Sequence, residues 1–311
     1  MSLLLDIRHE AWMTEASLAE RLAPELPGVR IHVGPGDGPL DEVVMLATAN
    51  LDNNLLPRLP KLELIQRLGA GVETMVSAKG LPAAVRVARL AAADAAYEIA
   101  EYCLAYVLSA QRNMAAHRAD EAAVTWRQIA PRAQRETTIA VLGLGNIGGR
   151  TASMFSGLGF RVLGWSRSPK NIANVECRHG AAALPDILAK ADHVCAILPS
   201  TPETRDLFDA ATFARMKPGA QLINAGRGDL IVDTDLLTAL DNGHVGHAVL
   251  DVFRTEPLAS DHPYWVHPQV TVTPHVSGWR LDDSVLDVAE NYLRLVNGRP
   301  LLNEVDRDAG Y

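Results

Sequence analysis

At 311 residues the chain is long enough for two ordinary domains, and 48% hydrophobic with 21% charged residues excludes a disordered tail, a collagen or a coiled-coil rod. A net charge of −8 without any compensating block of basic residues argues against nucleic acid as a partner. Cys103, Cys177 and Cys195 lie far apart, form no C-x-x-C pair and have no histidine at zinc-site spacing, so no metal is expected and a reducing cytoplasm fits best. The apolar run at 1–7 is too short for a signal peptide, and no stretch approaches a membrane span of about 20 apolar residues, so the protein is expected to be neither exported nor inserted.

Short apolar runs at 3–7, 29–33, 43–47, 62–68 and 85–90, with a helical pattern at 15–22, read as strands alternating with helices, hence a parallel sheet. Residues 91–113 lack Gly and Pro and carry Ile99, Cys103, Tyr106 and Val107 at helical spacing, which predicts one long helix bridging two domains. The polar stretch 115–134, around Trp126 and Pro131, is expected to be loop-rich. A second alternating series follows, with strands at 138–142, 161–165, 193–198, 221–224, 247–252 and 270–273. Six strands with crossovers predict a doubly wound nucleotide-binding domain. A final helix at 282–296 would return the chain to the first domain, giving 1–95 with 284–311 as substrate domain and 96–283 as dinucleotide-binding domain. The fold class is thus α/β, with two doubly wound parallel sheets.

Gly143-Leu144-Gly145-Asn146-Ile147-Gly148 follows the 138–142 strand and opens a helical segment at 147–158. A G-x-G-x-x-G run in that setting presents backbone N–H groups and a helix N-terminus to a pyrophosphate. Some 20 residues on, where an acidic residue would take the ribose 2′-OH, the chain reads Ser166-Arg167-Ser168-Pro169-Lys170. Arg167 and Lys170 beside two hydroxyls suit a 2′-phosphate, so NADPH is expected over NADH.

Three polar residues fall at the carboxyl ends of later strands, where ligands bind in open α/β sheets. Arg227 follows Ala225 and Gly226, Glu256 follows Phe253-Arg254-Thr255, and His275 follows Thr273-Pro274. Residues 137–278 resemble the D-isomer-specific 2-hydroxyacid dehydrogenase family through the glycine run, Met216-Lys217-Pro218-Gly219, Ile223-Asn224-Ala225-Gly226-Arg227-Gly228, Leu250-Asp251-Val252-Phe253 with Glu256-Pro257, and Thr273-Pro274-His275. The Ser-Arg-Ser turn and residues 262–268 resemble its glyoxylate/hydroxypyruvate reductase A-like branch; Leu68-Gly69-Ala70-Gly71-Val72-Glu73 matches more loosely.

The resemblance implies a Rossmann cofactor domain plus a flavodoxin-like substrate domain, and NADPH-dependent reduction of small 2-oxo acids by a homodimer. His275 would donate the proton, as the side-chain acid closest to neutral pH, with Glu256 orienting its ring and pairing with the imidazolium. Arg227 would clamp the substrate carboxylate and polarise the carbonyl. Ala70 and Gly71 would let backbone N–H groups approach that carboxylate. Leu198 and Pro199 would flank the adenine side, Ala225, Gly226, Arg227 and His275 would contact the cofactor, and Asp251 either receives the nicotinamide carboxamide or is a strand-end turn residue. A non-catalytic dinucleotide-sensing corepressor or scaffold is the competing class, but sensing alone would not need Arg227, Glu256 and His275 together.

His244 and His247 sit at i,i+3, yet Gly243 and Gly246 interrupt any helix, so both read as surface or strand-packing residues, as do His262 and His267. Trp279 is expected either to wall the pocket or to be structural, and Trp126 to lie at a subunit interface. His247 stands where the family pattern has a small residue. Residues 45–54 offer no aromatic or basic group that would select one 2-oxo acid.

Overall fold

The computed structural model describes residues 1–9, 13–76, 78–91, 93–280 and 285–307. The chain forms two compact units, Met1–Asp94 with Trp279–Tyr311, and Ala95–Gly278. The second seam anticipated from sequence, at 283/284, falls within residues 281–284, outside the described residues.

The first unit is built on β1 (Ser2–Leu5), β2 (Arg30–Val33), β3 (Val43–Thr48), β4 (Leu64–Arg67) and β5 (Arg86–Arg89). All pairings are parallel and the order is β2-β1-β3-β4-β5, the flavodoxin-like winding. Every residue of β1 and β3 is buried, as a parallel sheet covered on both faces requires. The helix Glu15–Leu22 begins on Thr14, whose side chain accepts the Ser17 N–H, and it buries Leu18 and Leu22. The helix Asp287–Val296 buries Val288, Ala289 and Tyr292 in the core that holds Leu3 and Leu5. The start anticipated for that helix, at 282, lies outside the described residues.

The second unit carries β6 (Thr138–Leu142), β7 (Arg161–Ser166), β8 (Glu176–His179), β9 (His193–Ala196), β10 (Ala220–Asn224), β11 (Val245–Leu250) and β12 (Val270–Val272). Its seven parallel strands run β12-β11-β10-β9-β6-β7-β8, the Rossmann order with one strand added, and the winding reverses between β6 and β9. All residues of β6, β9 and β10 are buried, which is why they are mainly apolar, and the buried His193 and Gln221 of neighbouring strands bond each other at 2.8 Å.

Two elements depart from the sequence expectation. Residues anticipated as a loop contain the helix Met114–Ala122; it buries nothing, so no apolar stripe marks it. Strand β8 was not anticipated, because an edge strand reading Glu-Cys-Arg-His, mostly exposed, has no apolar alternation. The long helix runs Ala93–Gln111. No helix among the described residues is long and apolar enough to cross a membrane.

Candidate active site

The turn after β6 shows why each glycine stands where it does. Gly143 has φ +99°, and a Cβ there would lie 2.2 Å from the Ile197 carbonyl oxygen; one on Gly148 would lie 1.6 Å from the Gly143 carbonyl oxygen. A Cβ on Gly145 meets nothing within 4 Å. The outer glycines therefore serve the close packing of turn, strand and helix, while the middle one faces open space. The helix Asn146–Gly157 starts at Gly145 with no side-chain cap, leaving the first-turn N–H groups around Asn146, Ile147 and Gly148 for an anion. Leu144 is buried against this turn. The cradle fits a dinucleotide pyrophosphate. Gly148→Ala is accordingly expected to destabilise the fold by at least about 3 kcal/mol, whereas Gly145→Val should keep Tm and weaken NADPH binding at least roughly tenfold. Thermal melts and a cofactor titration on the two variants check this, and a stable Gly148→Ala protein would contradict it.

At the end of β7 the Ser166 hydroxyl is buried and donates to the Ser168 carbonyl at 2.8 Å, folding the turn on itself. Arg167, Ser168 and Lys170 are exposed on that turn. Across the winding reversal Leu198 is buried and the Pro199 carbonyl accepts the Thr204 hydroxyl at 2.6 Å.

Arg227, Glu256 and His275 are brought together on the loops after β10, β11 and β12. His275 Nδ1 lies 2.7 Å from Glu256 Oε2. A carboxylate only accepts, so Nδ1 carries the hydrogen and Nε2 is the nitrogen left for a ligand. The side chain of His275 is 53% exposed and that of Glu256 35%. Burial would raise the Glu256 carboxyl, but hydrogen bonding and charge from His275, the Phe253 N–H and the charge of Arg227 outweigh it and hold it below the usual carboxylate range. Arg227 Nη1 donates to the Gly226 carbonyl at 2.6 Å, and Asn224 braces this turn by donating to the Arg227 carbonyl and accepting the Gly226 N–H. Gly226 and Gly228 are obligatory: Cβ atoms there would lie 2.7 Å from the Leu198 oxygen and 1.9 Å from the Phe253 carbonyl carbon.

His275 adopts φ 55°, a left-handed conformation costing a non-glycine residue about 1–2 kcal/mol. Asp251, fully buried, supplies the compensating contacts through acceptors for the N–H groups of His275, Val276 and Ser277. Its contacts with this turn, and those of Thr273 and Tyr102, escaped the sequence reading, which weighed Asp251 only as a carboxamide contact or a strand-end residue.

In the first unit, the turn after β4 is gripped by its carbonyls: Leu90 N–H bonds Gly69, Arg89 bonds Ala70 at 3.2 Å and Arg67 bonds Gly71 at 2.9 Å. Such a turn, with Gly69 at φ +152°, can present its N–H groups as an anion cradle.

His244, His247, His262 and His267 have structural partners. His244 bonds the Met216 carbonyl, and His247, lowered in pKa by burial, bonds Thr271 at 2.9 Å. His262 Nδ1 accepts the Tyr264 N–H, and His267 pairs with Asp241 at 3.3 Å. Trp279 packs edge-on against His9, 5.7 Å between ring centres.

Residues 104–277 match the family model for the NAD-binding domain of the D-isomer-specific 2-hydroxyacid dehydrogenases. A protein named glyoxylate/hydroxypyruvate reductase A from Serratia proteamaculans is 36% identical over 310 residues, 97% of this chain and 96% of that one. Among solved structures, a D-isomer-specific 2-hydroxyacid dehydrogenase of Xanthobacter autotrophicus Py2 in complex with NADPH and MES superposes with TM-score 0.92 at 34% identity, covering 100% of this chain and 99% of the other. An NADPH-dependent glyoxylate/hydroxypyruvate reductase of Sinorhizobium meliloti, in complex with NADP and sulfate, gives TM-score 0.91 at 31% identity with both chains fully covered. Sequence, winding order and the paired histidine and glutamate agree: this chain belongs to the D-isomer-specific 2-hydroxyacid dehydrogenase family.

Proposed function

We propose that the protein reduces small 2-oxo acids, glyoxylate and hydroxypyruvate, to glycolate and D-glycerate with NADPH. The observation that carries this is the 2.7 Å contact between His275 Nδ1 and Glu256 Oε2, at the carboxyl end of a sheet wound as a dinucleotide-binding fold, with the charge of Arg227 acting on the same glutamate. The names of the Serratia and Sinorhizobium relatives support the choice of substrate, and the NADPH complexes support the choice of cofactor.

Gly143, Gly145 and Gly148 would shape the turn that holds the pyrophosphate, with the uncapped N–H groups of Asn146, Ile147 and Gly148 available to it. Arg167, Ser168 and Lys170 take the 2′-phosphate, and Ser166 acts indirectly by folding their turn. Leu198 and Pro199 would flank the adenosine, and Ala225 and Gly226 would contact the cofactor beside them. Bound NADPH supplies the hydride to the carbonyl carbon. Arg227 would hold the substrate carboxylate and draw charge toward the carbonyl oxygen. His275 Nε2 delivers the proton to that oxygen as it becomes a hydroxyl, while Glu256 keeps the ring oriented and balances the imidazolium.

The 311-residue chain is read as one subunit of a cytoplasmic homodimer. Support comes from Val124 and Trp126, 94% and 93% exposed after a helix that buries nothing, and from Cys103 and Cys195, buried as free thiols.

Oxidation of NADPH and NADH is followed by absorbance with glyoxylate, hydroxypyruvate, pyruvate and a phosphorylated 2-oxo acid. Each charged hydrogen bond to the 2′-phosphate contributes about 1.5–3 kcal/mol, so kcat/KM with NADPH should exceed that with NADH at least roughly tenfold. A preference for NADH would refute the strand-end assignment. Absence of turnover with every acid would refute the activity.

A further inference from the structure

Behind the histidine, two half-buried hydroxyls and the buried Asp251 form a chain of hydrogen bonds whose direction can be worked out. Thr273 Oγ1 lies 2.6 Å from Asp251 Oδ1, and a carboxylate only accepts, so the one hydroxyl proton of Thr273 goes to Asp251. Tyr102 Oη lies 2.7 Å from the same Oγ1 and is therefore the donor to it. Burial, reinforced by the nearby negative charge of Asp251, raises the Tyr102 phenol well above its ordinary range, which keeps it a donor.

Asp251 in turn holds three consecutive amides: His275 N–H reaches its carbonyl, Val276 N–H reaches Oδ1 and Ser277 N–H reaches Oδ2, each at 2.9 Å. Successive N–H groups gathered on one residue are the hallmark of a turn with a left-handed member, here His275 at φ 55°. Rotating the Asp251 carboxylate would release the Val276 and Ser277 amides together and let the turn relax. The Thr273 hydroxyl, itself oriented by Tyr102 from the helix Ala93–Gln111, adds a third hydrogen bond on the carboxylate against that rotation.

We propose that Tyr102 and Thr273 are positioning residues for the reduction. Through Asp251, the directed chain Tyr102 Oη to Thr273 Oγ1 to Asp251 Oδ1 locks the turn that aims His275 Nε2 at the substrate oxygen. This rests on the reading of His275 as proton donor.

The test compares Thr273→Val, Thr273→Ser, Tyr102→Phe, the Thr273→Val/Tyr102→Phe double variant and His275→Ala in the full-length protein, measuring kcat and KM for glyoxylate, NADPH Kd and Tm. Thr273→Val should lower kcat by roughly 10–30-fold with KM and NADPH Kd within about twofold, and Thr273→Ser should recover most of the loss. Tyr102→Phe should lower kcat by roughly 3–10-fold alone but by less than about twofold once Thr273 is valine, because its only route to the turn is gone. The proposal is overturned if Thr273→Val keeps kcat within about twofold of wild type, if serine fails to rescue, if the two losses multiply, or if the loss falls on NADPH Kd instead of kcat. If His275→Ala itself keeps wild-type kcat, the proton-donor reading falls and takes this one with it; an inactive His275→Ala beside a fully active Thr273→Val removes only the positioning chain.

Discussion

In His275→Ala, kcat for glyoxylate reduction falls by roughly 10²–10⁴ while NADPH binds with close to wild-type affinity. The split follows from where the side chain sits. It is half exposed and contributes nothing to the apolar core, and its side chain bonds Glu256 rather than any part of the glycine turn at 143–148. Removing it deletes the proton donor and leaves a carboxylate that can still be hydrated, so Tm should change little. A kcat within about threefold of wild type would strip His275 of its acid role. The pair also has a predicted pH behaviour. Because the Glu256 carboxyl is held below its ordinary range, its ionised form is favoured in the folded protein. That stabilisation is present above the unfolded value of about 4.3 and is lost as pH falls through the lower folded value, so the wild-type pair should survive throughout the neutral range.

Arg227→Ala should lower kcat/KM by roughly 10²–10⁴, divided between a higher KM and a lower kcat. Two charge-assisted hydrogen bonds to a carboxylate contribute about 1.5–3 kcal/mol each, and the developing charge on the carbonyl oxygen adds a component felt only in the transition state. Arg227→Lys keeps the charge but loses the planar fork and should recover only part of the loss. Gly226 and Gly228, pressed against the backbone of Leu198 and Phe253, hold the turn in either variant, so a fall in kcat/KM would report the side chain and not a collapsed loop. An Arg227→Ala enzyme within about threefold of wild type would refute the clamp.

A local pattern was enough to place the main parallel strands and to single out the candidate residues. Strands such as β3 and β6 are buried on both faces, so covered parallel strands declare themselves as mainly apolar runs without any knowledge of their neighbours. The pyrophosphate turn is equally local, since six consecutive residues contain the tight turn, the open glycine and the uncapped helix start. Arg227, Glu256 and His275 could be singled out because each lies on the loop that follows a strand of the second series.

Elements with no apolar face left no such mark, and the helix Met114–Ala122 and edge strand β8 emerged only in the folded chain. Nor does any periodicity announce that Tyr102 meets Thr273 across 171 residues, or that Asp251 turns its carboxylate onto the turn carrying His275. Hydrogen bonds between buried groups depend on the packing of separate elements to within tenths of an ångström, whereas hydrophobic alternation depends only on which face of one element is covered. The first is decided in three dimensions and the second along the chain.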